Sequence, residues 1–394
     1  MGVRPCYIVG PMPRTPPPVP FLDLYAGNRR FEAAFFRDLK ALFRRSDFIG
    51  GATVETFERA FAAELGAPQC VAVSSGTAAL HLSLVAAGIG PGDEVIVPAF
   101  TFPGAALPVL HCGARPVFAD VNPGDGCLDP ESVARLTTKN TRAILVTHLF
   151  GHPADLDALQ ALARGSRGRI TLIEDAAQAH GGAWRGRALG TFGAFGCFSF
   201  YPTKNLGGMG DAGAVLVKTR AHADRLRRLR DHGQTARFRP VEPGFNARMD
   251  AVQALFLTHK LPYLRDDNAR RAALAVRLLA QLDACRDAAG GAHAHPLRPD
   301  ARGTSSWHAF VVKAPQRAAL FKRLKERGIG HQVYYPAVLP DLPAYRGFVR
   351  GGFARADDVP VARALARACL ALPLHPALTV AQGRAITGAL APDR

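Results

Sequence analysis

"CVAVSSGTAALHLSLVAAG", residues 70–88, runs from a short apolar β stretch through a turn of small residues into a helix. An unbroken apolar run of that length reads as a strand covered on both faces. The same order recurs on either side. "DEVIVPAFTFPGAALPVLHCG" is again strand then helix. "RPVFADV", "TRAILVTHLFG", "RITLIEDAAQ", "FGCFSFY" and "AGAVLVK" add short apolar strands, separated by loops or by helices such as "DLDALQALARG". "FERAFAAELG", residues 57–66, has helical spacing ahead of the first strand. Strands alternating with helices predict an α/β fold with a mainly parallel, mixed sheet between helices.

The texture changes near residue 246. "NARMDAVQALFLTHKLPYLRDDNARRAALAVRLLAQL" is one long helical pattern, with a break or kink expected at Pro262. A strand ("SSWHAFVVK"), a helix ("RAALFKRLKERG"), a strand ("HQVYYP") and terminal helices follow, which reads as a smaller C-terminal α+β domain. The expected division is a Pro-rich tail over 1–20, a large domain over 21–258 and a small one over 259–394. No internal repeat is visible.

Composition narrows the class. The chain has 394 residues, 48% of them hydrophobic, enough for a large core. No apolar run approaches the ~20 residues a membrane helix needs. The first 20 residues hold seven prolines and no apolar h-region. They read as a flexible tail or a misplaced start codon, not as a signal peptide. Seven cysteines, an odd number with no CxxC pair, argue against a disulfide framework or a zinc site, so no metal is expected. They point to a reducing cytoplasm. The formal charge of +17 is spread along helices such as "RLRRLRDHG", which reads as solvated helix faces, with an anionic small-molecule substrate as the second reading.

In such a sheet, ligands bind at the carboxyl ends of strands. After "CVAV" come Ser74, Ser75, Gly76 and Thr77 at a helix start. This is either an anion site or an ordinary helix cap. After "RITLIE" comes Asp175, followed three residues later by Gln178. It is either a helix cap or the partner of a protonated ring nitrogen. Phe102 follows the strand "DEVIVP" and is either a core aromatic or a plate for a flat ring. After "FGCFSFYPT" comes Lys204, one of only 8 lysines against 41 arginines. Arginine keeps its proton in a protein, whereas a desolvated lysine gives it up, as a Schiff base requires. The alternative is an ordinary loop lysine. Together, a phosphate cradle, an aromatic plate, an acid and a lysine, each at a strand end, are the parts pyridoxal 5′-phosphate (PLP) chemistry needs.

At these positions the chain resembles the DegT/StrS-type sugar aminotransferases, PLP enzymes of fold type I. The resemblance runs from about Phe21 to about Leu390. It is carried by "FIGGATVETFERAFAAELGA", "SSGTAALHLSL", "GPGDEVIVPAFTF", "HLFGHPADLDAL", "IEDAAQAHGG", "FSFYPTKNLGG", "LRDHG" and "LALPLHP", in family order and spacing. It implies that Lys204 links covalently to PLP and shuttles the proton in transamination, and that Asp175 holds the pyridine nitrogen protonated. It places Gln178 near the ring face or phenolic oxygen and Phe102 on the opposite face. It gives the phosphate to Gly76, Thr77 and Ala78, with the Ser199 hydroxyl. Asn246 in "GFNARM" matches an asparagine that reaches the phosphate from the neighbouring subunit, which implies a homodimer with a shared site. The implied reaction moves an amino group from glutamate or glutamine to a keto group of a nucleotide-linked sugar. Ketocyclitols and aminated aromatic precursors are alternative acceptors.

Three positions depart from the family pattern. Gly210-Asp211-Ala212-Gly213 replaces an acidic-Gly-Gly run, Leu339 stands near the place of a histidine, and Ala247 near that of a larger residue. Sugar dehydratases of the family carry histidine at the lysine position, so Lys204 argues against dehydration. A basic α/β binding or regulatory protein is the reading from another class. No helix-turn-helix or zinc pattern supports it, and neither a nucleic acid nor a membrane is an expected partner.

Overall fold

The structure is a computed structural model that describes residues 19–289, 294–356 and 358–390. The expected Pro-rich tail lies outside the described residues up to position 18. The apolar runs form β1 (Gln69–Val73), β2 (Glu94–Pro98), β3 (Arg115–Ala119), β4 (Thr141–Thr147), β5 (Thr171–Asp175), β6 (Phe195–Ser199) and β7 (Gly213–Val217). Further along come β8 (His295–Pro296), β9 (Phe310–Lys313), β10 (Arg355–Ala356) and β11 (Cys369–Leu372). The large sheet has the order β1-β7-β6-β5-β4-β2-β3-β10. Only β7 is antiparallel to its neighbours, β1 and β6. The other pairs are parallel. Because β1 and β6 both oppose β7, all of β1 to β6 end at one edge. That edge carries the loops that matter below.

Their apolar residues explain the layering. β2 and β7 are buried throughout, as strands between two helical layers must be. Helix α1 (Gly51–Leu65) ends where Gly66 adopts φ +65° and its N–H reaches the Ala62 and Ala63 carbonyls. Helix α2 (Gly76–Ala86) follows β1 directly. The long pattern after residue 246 is split as Pro262 predicts: α3 (Ala251–Lys260) and α4 (Leu264–Ala289) are joined by a 3-10 turn, Leu261–Tyr263.

The C-terminal region departs from expectation in two places. "HQVYYP" makes only an isolated bridge, Gln332 to Ala371, not a strand. Its Tyr335 instead packs near Phe100, just beyond β2, with ring centroids 6.1 Å apart, which pulls the chain away from the small sheet. "CLAL", expected within terminal helices, is β11, paired antiparallel with β9. A short apolar run of this kind suits a buried strand or a buried helix, and pairing decides between them. The small sheet, β8-β9-β11, covers a second core that includes Leu278, Phe310, Leu324, Leu370 and Ile386.

Beneath the functional edge lies an aromatic cluster. Phe57 and Phe61 of α1 meet Phe200 edge-on, and Phe61 also meets Phe198, at centroid distances of 5.1–5.3 Å. All four rings are fully buried. They hold the chain as it leaves β6 toward Lys204. Replacing Phe61 by alanine removes a buried ring that little can collapse to replace. The Phe61→Ala variant is expected to lose about 3–5 kcal/mol of unfolding free energy, read by urea denaturation.

Candidate functional site

The edge is built from strand ends. Asp175 is the last residue of β5 and is buried. No helix follows it. Its Oδ1 accepts the Ala177 N–H at 3.1 Å, which makes a tight turn, not a helix cap. The Thr147 hydroxyl at the end of β4 approaches Oδ2 at 3.5 Å. Burial pushes the Asp175 carboxyl above its usual range, while the Ala177 N–H and the Lys204 cation pull the other way. This is a carboxylate held in place with its negative charge undercompensated.

Lys204 lies in a turn five residues beyond β6, half-buried, with its backbone N–H bonded to the Tyr201 carbonyl at 2.8 Å. Burial lowers its amine to about 8, and Asp175 opposes that shift. Each group thus feels the other across the same edge. Two imidazoles share the space. His180 is pushed to about 3 by burial first and then by Lys204. His308 is likewise lowered well below its ordinary range, by burial and then by Lys204, Arg271 and His180. The amine therefore stands among neutral rings with one acid.

The helix start next to it is shaped by glycine. Ser75 caps α2: its hydroxyl accepts the Ala78 N–H at 3.0 Å. The N–H groups of Gly76 and Thr77, at the first two helical positions, are left without an intrahelical acceptor. A Cβ on Gly76 would stand 2.6 Å from the Ser199 Cβ, so the helix start rests on the end of β6. Gly213 pairs with both Val73 and Ser199, and a Cβ there would strike the Ser75 carbonyl and lie 2.8 Å from the Gly76 nitrogen. Only glycine permits this approach. The cap and the anion site, alternatives from the residues alone, thus coexist here: Ser75 takes one N–H and leaves two.

Phe102 is 43% exposed, which sets it apart from a core aromatic. A Cβ on Gly104 would lie 2.7 Å from the Phe102 ring and 3.0 Å from Thr77 Oγ1, so ring and helix start adjoin. Gln178 is buried. Its Oε1 accepts the Phe150 N–H at 2.6 Å, and its Nε2 donates to the Tyr335 hydroxyl at 3.0 Å. Tyr335 in turn lies 6.4 Å from the Phe102 ring centre. Asn246 stands apart: it is exposed, and its backbone pairs with that of Asp231.

Several contributors were not foreseen. Glu174 is fully buried beside Asp175. Burial alone would raise its carboxyl, but the His148 ring at 3.0 Å and the N–H groups of Gly190, Phe192 and Gly193, each at 2.7 Å, hold it below the usual range. His148 Nδ1 accepts the Ala154 N–H at 3.2 Å, so Nε2 carries the proton toward Glu174. This pair clamps β4 to β5 just behind Asp175. The adjacent acids of "LIED" were its one sequence signal, since a buried acid needs a partner. Tyr335, His180 and His308 had no such signal, because they reach the edge from distant segments.

The amine sets a pH dependence. An unfolded chain keeps the Lys204 proton up to the ordinary 10.5, whereas the folded chain releases it near 8. The lysine thus favours the folded state increasingly as pH rises from about 8 to 10.5. Lys260, also lowered to about 8, contributes with the same sign. Acetylation of the cofactor-free protein, followed residue by residue by mass spectrometry, is expected to label Lys204 with a midpoint near pH 8. An exposed lysine such as Lys322 serves as the reference.

Comparison with known proteins places this geometry. Residues 30–391 match the model of the DegT/DnrJ/EryC1/StrS aminotransferase family. The chain is 40% identical over 365 residues to the erythromycin biosynthesis sensory transduction protein EryC1 of Saccharopolyspora erythraea, covering 92% of this chain and 95% of that protein. It is 39% identical over 363 residues to the dTDP-3-amino-3,4,6-trideoxy-alpha-D-glucose transaminase of Streptomyces venezuelae, covering 92% of each. Its fold superposes on the crystal structure of S. venezuelae DesV in complex with a ketimine intermediate with a TM-score of 0.88 and 39% identity, over 95% of this chain and 98% of that one.

Proposed function

The chain belongs to the DegT/DnrJ/EryC1/StrS aminotransferase family, and we propose that it transfers an amino group from glutamate or glutamine to the keto carbon of a nucleotide-linked sugar. The transaminase relative acts on a dTDP-linked amino sugar, and this supports the acceptor class. The observation that carries the reading is the mutual influence of the Lys204 amine and the buried Asp175 carboxyl at one sheet edge.

The family cofactor, PLP, fits the residues present. The N–H groups of Gly76 and Thr77, which have no acceptor within the helix, with Ser199 against Gly76, suit a phosphate. Asp175 is buried without full compensation and suits a cationic ring nitrogen. The exposed face of Phe102 suits a flat ring. When bound, PLP supplies an aldehyde for amines and a ring that accepts electrons from the neighbouring carbon.

In this reading Lys204 Nζ is the covalent anchor and then the base. With its proton leaving near pH 8, the amine would be free in part at neutral pH, and would take the proton from the substrate Cα and return it at the cofactor carbon. Asp175, aimed by the Ala177 N–H and the Thr147 hydroxyl, would pair with a protonated ring nitrogen. Gln178 uses Oε1 and one Nε2 hydrogen on Phe150 and Tyr335, and its second Nε2 hydrogen would be left for the cofactor's phenolic oxygen. Ala78 contributes to the phosphate site through its place in the first turn, since Ser75 already takes its N–H.

Asn246 supplies the phosphate contact to a second copy of the chain. Exposed apolar residues surround its segment. Phe48 accepts the Ala251 N–H at 2.8 Å, Ile49 bridges Asp250, and the Met209 N–H bonds Gln253 at 2.9 Å. All three side chains are exposed, as is Phe238 at 81%. Such a rim is usual where subunits meet. The large unit, 21–258, carries the cofactor, and the small one, 259–394, closes over its edge with Tyr335 and His308. Among the described residues no helix is long and apolar enough to cross a membrane. Cys70, Cys112, Cys127, Cys197 and Cys369 are free, which supports the cytoplasm as the place of work.

Purified with PLP, the protein should be yellow, and borohydride should fix the cofactor's mass on Lys204. A colourless protein that binds no PLP would favour a regulatory role. The Lys204→Arg variant should fold but lose turnover by at least about a hundredfold, read with a panel of keto-sugar nucleotides and ketocyclitols by product mass. If the site is shared, mixing inactive Lys204→Ala and Asn246→Ala subunits should restore roughly a quarter of parental activity, because half the dimers carry one intact site. No recovery would place both residues in one chain's site.

A further inference from the structure

The residue after Lys204 has no part in the chemistry described so far. Asn205 is buried, and its carboxamide is fully engaged. Its Nδ2 donates to Asn268 Oδ1 at 2.9 Å and to the Ser306 carbonyl at 2.8 Å. Its Oδ1 lies 3.2 Å from His308 Nδ1. The orientation is fixed by backbone carbonyls, which can only accept. Ser306 O identifies Nδ2 of Asn205. The His180 carbonyl, 2.7 Å from Asn268 Nδ2, likewise turns the Asn268 oxygen toward Asn205. Oδ1 of Asn205 is then an acceptor, so His308 carries a proton on Nδ1, and burial, which lowers the ring well below its ordinary range, leaves Nε2 without one.

One amide thus ties the Lys204 turn to three other places. These are α4 through Asn268, the segment before β9 through Ser306 and His308, and the turn after β5 through the Asn268–His180 link. Ser306 extends the network, since its hydroxyl donates to the Gln178 carbonyl at 2.8 Å. Behind the turn, Lys260 donates to the Gly207 carbonyl at 3.0 Å. The groups that face the Lys204 amine come from separate elements: Asp175 from β5, His180 from the turn beyond it, and His308 from the segment before β9. Arg271 stands behind His308, and Lys260 behind His180.

We propose that Asn205 is a positioning residue: its carboxamide holds the Lys204 turn against α4 and the 306–308 segment, and it locks His308 as a neutral Nδ1–H ring beside the amine. The consequence is a half-buried amine set between one acid, Asp175, and two neutral rings, His180 and His308. Without the carboxamide, the turn loses its three anchors, water reaches Lys204, and His308 is free to change tautomer.

The proposal rests on Lys204 being the reactive amine, but its test needs neither cofactor nor turnover. In the cofactor-free protein, ¹⁵N NMR of the imidazoles should show His308 as the Nδ1–H tautomer at pH 7. An Nε2–H tautomer would overturn the proposal with no variant made. In Asn205→Ala, the Lys204 acetylation midpoint should rise by about one pH unit as desolvation is relieved, and His308 should shift toward the Nε2–H form. A variant that is merely less stable would melt earlier and leave both readouts where they are, which would also overturn the proposal. Should Asn205→Ala fail to fold, Asn268→Ala removes one anchor and should move the midpoint in the same direction by a smaller amount. An unmoved midpoint there counts against the proposal. Failure of any of these leaves the borohydride mapping of Lys204 unaffected, so the two readings are separable.

Discussion

The site depends on a half-buried amine facing a buried carboxyl at one edge of a parallel sheet. Neither group is comfortable alone. Burial pushes the carboxyl up and the amine down, and each partly corrects the other. In water the pair would be worth little. Where burial has removed much of the solvent, the same two charges set each other's protonation. That leaves an amine able to lose its proton near pH 8 and a carboxyl ready for a cation. Arginine at position 204 would keep its charge and fill the same space, but could do neither task.

Much of the surrounding structure keeps this pair where it is. The Glu174–His148 clamp ties β4 to β5 and draws in the 190–193 turn through three N–H groups. The four phenylalanines below β6 fix the path of the chain toward Lys204. Asn205 ties the lysine turn to segments more than 60 residues away in sequence. These are interior contacts with their polar atoms satisfied, which is how a polar network rigidifies instead of destabilising. Close packing of backbone does the rest. With glycine at 76 and 213, the start of α2 lies against the end of β6, and two N–H groups open toward the same edge as the acid and the amine.

The strands, the order of helices and the edge residues were legible in the chain because they are local. Apolar runs such as "CVAV" and "TLIE" are marked as strands by the turn and helix signals that flank them, and Asp175, Ser199 and Lys204 are read by their distance from a strand end. Pro262 marked the break between α3 and α4 for the same reason. The C-terminal third was less legible. "HQVYYP" has strand composition, yet Tyr335 is drawn to Phe100 and Gln178, and the run yields only a single bridge. "CLAL" became a strand because β9 was there to pair with it.

By itself the sequence determined the α/β class, the residues at the strand ends and the choice of a lysine where a proton must be lost. Only the tertiary structure decided which of those residues meet, and in what electrostatic company. Strand order is a matter of long-range pairing: β7 inserts between β1 and β6 and brings the start of α2 beside Ser199. The shift of the Lys204 amine comes from burial by segments that adjoin it only after folding. The tautomer of His308 is set by an asparagine 103 residues earlier. Desolvation and hydrogen bonding act through space, so the reactivity of these side chains is a property of the folded chain.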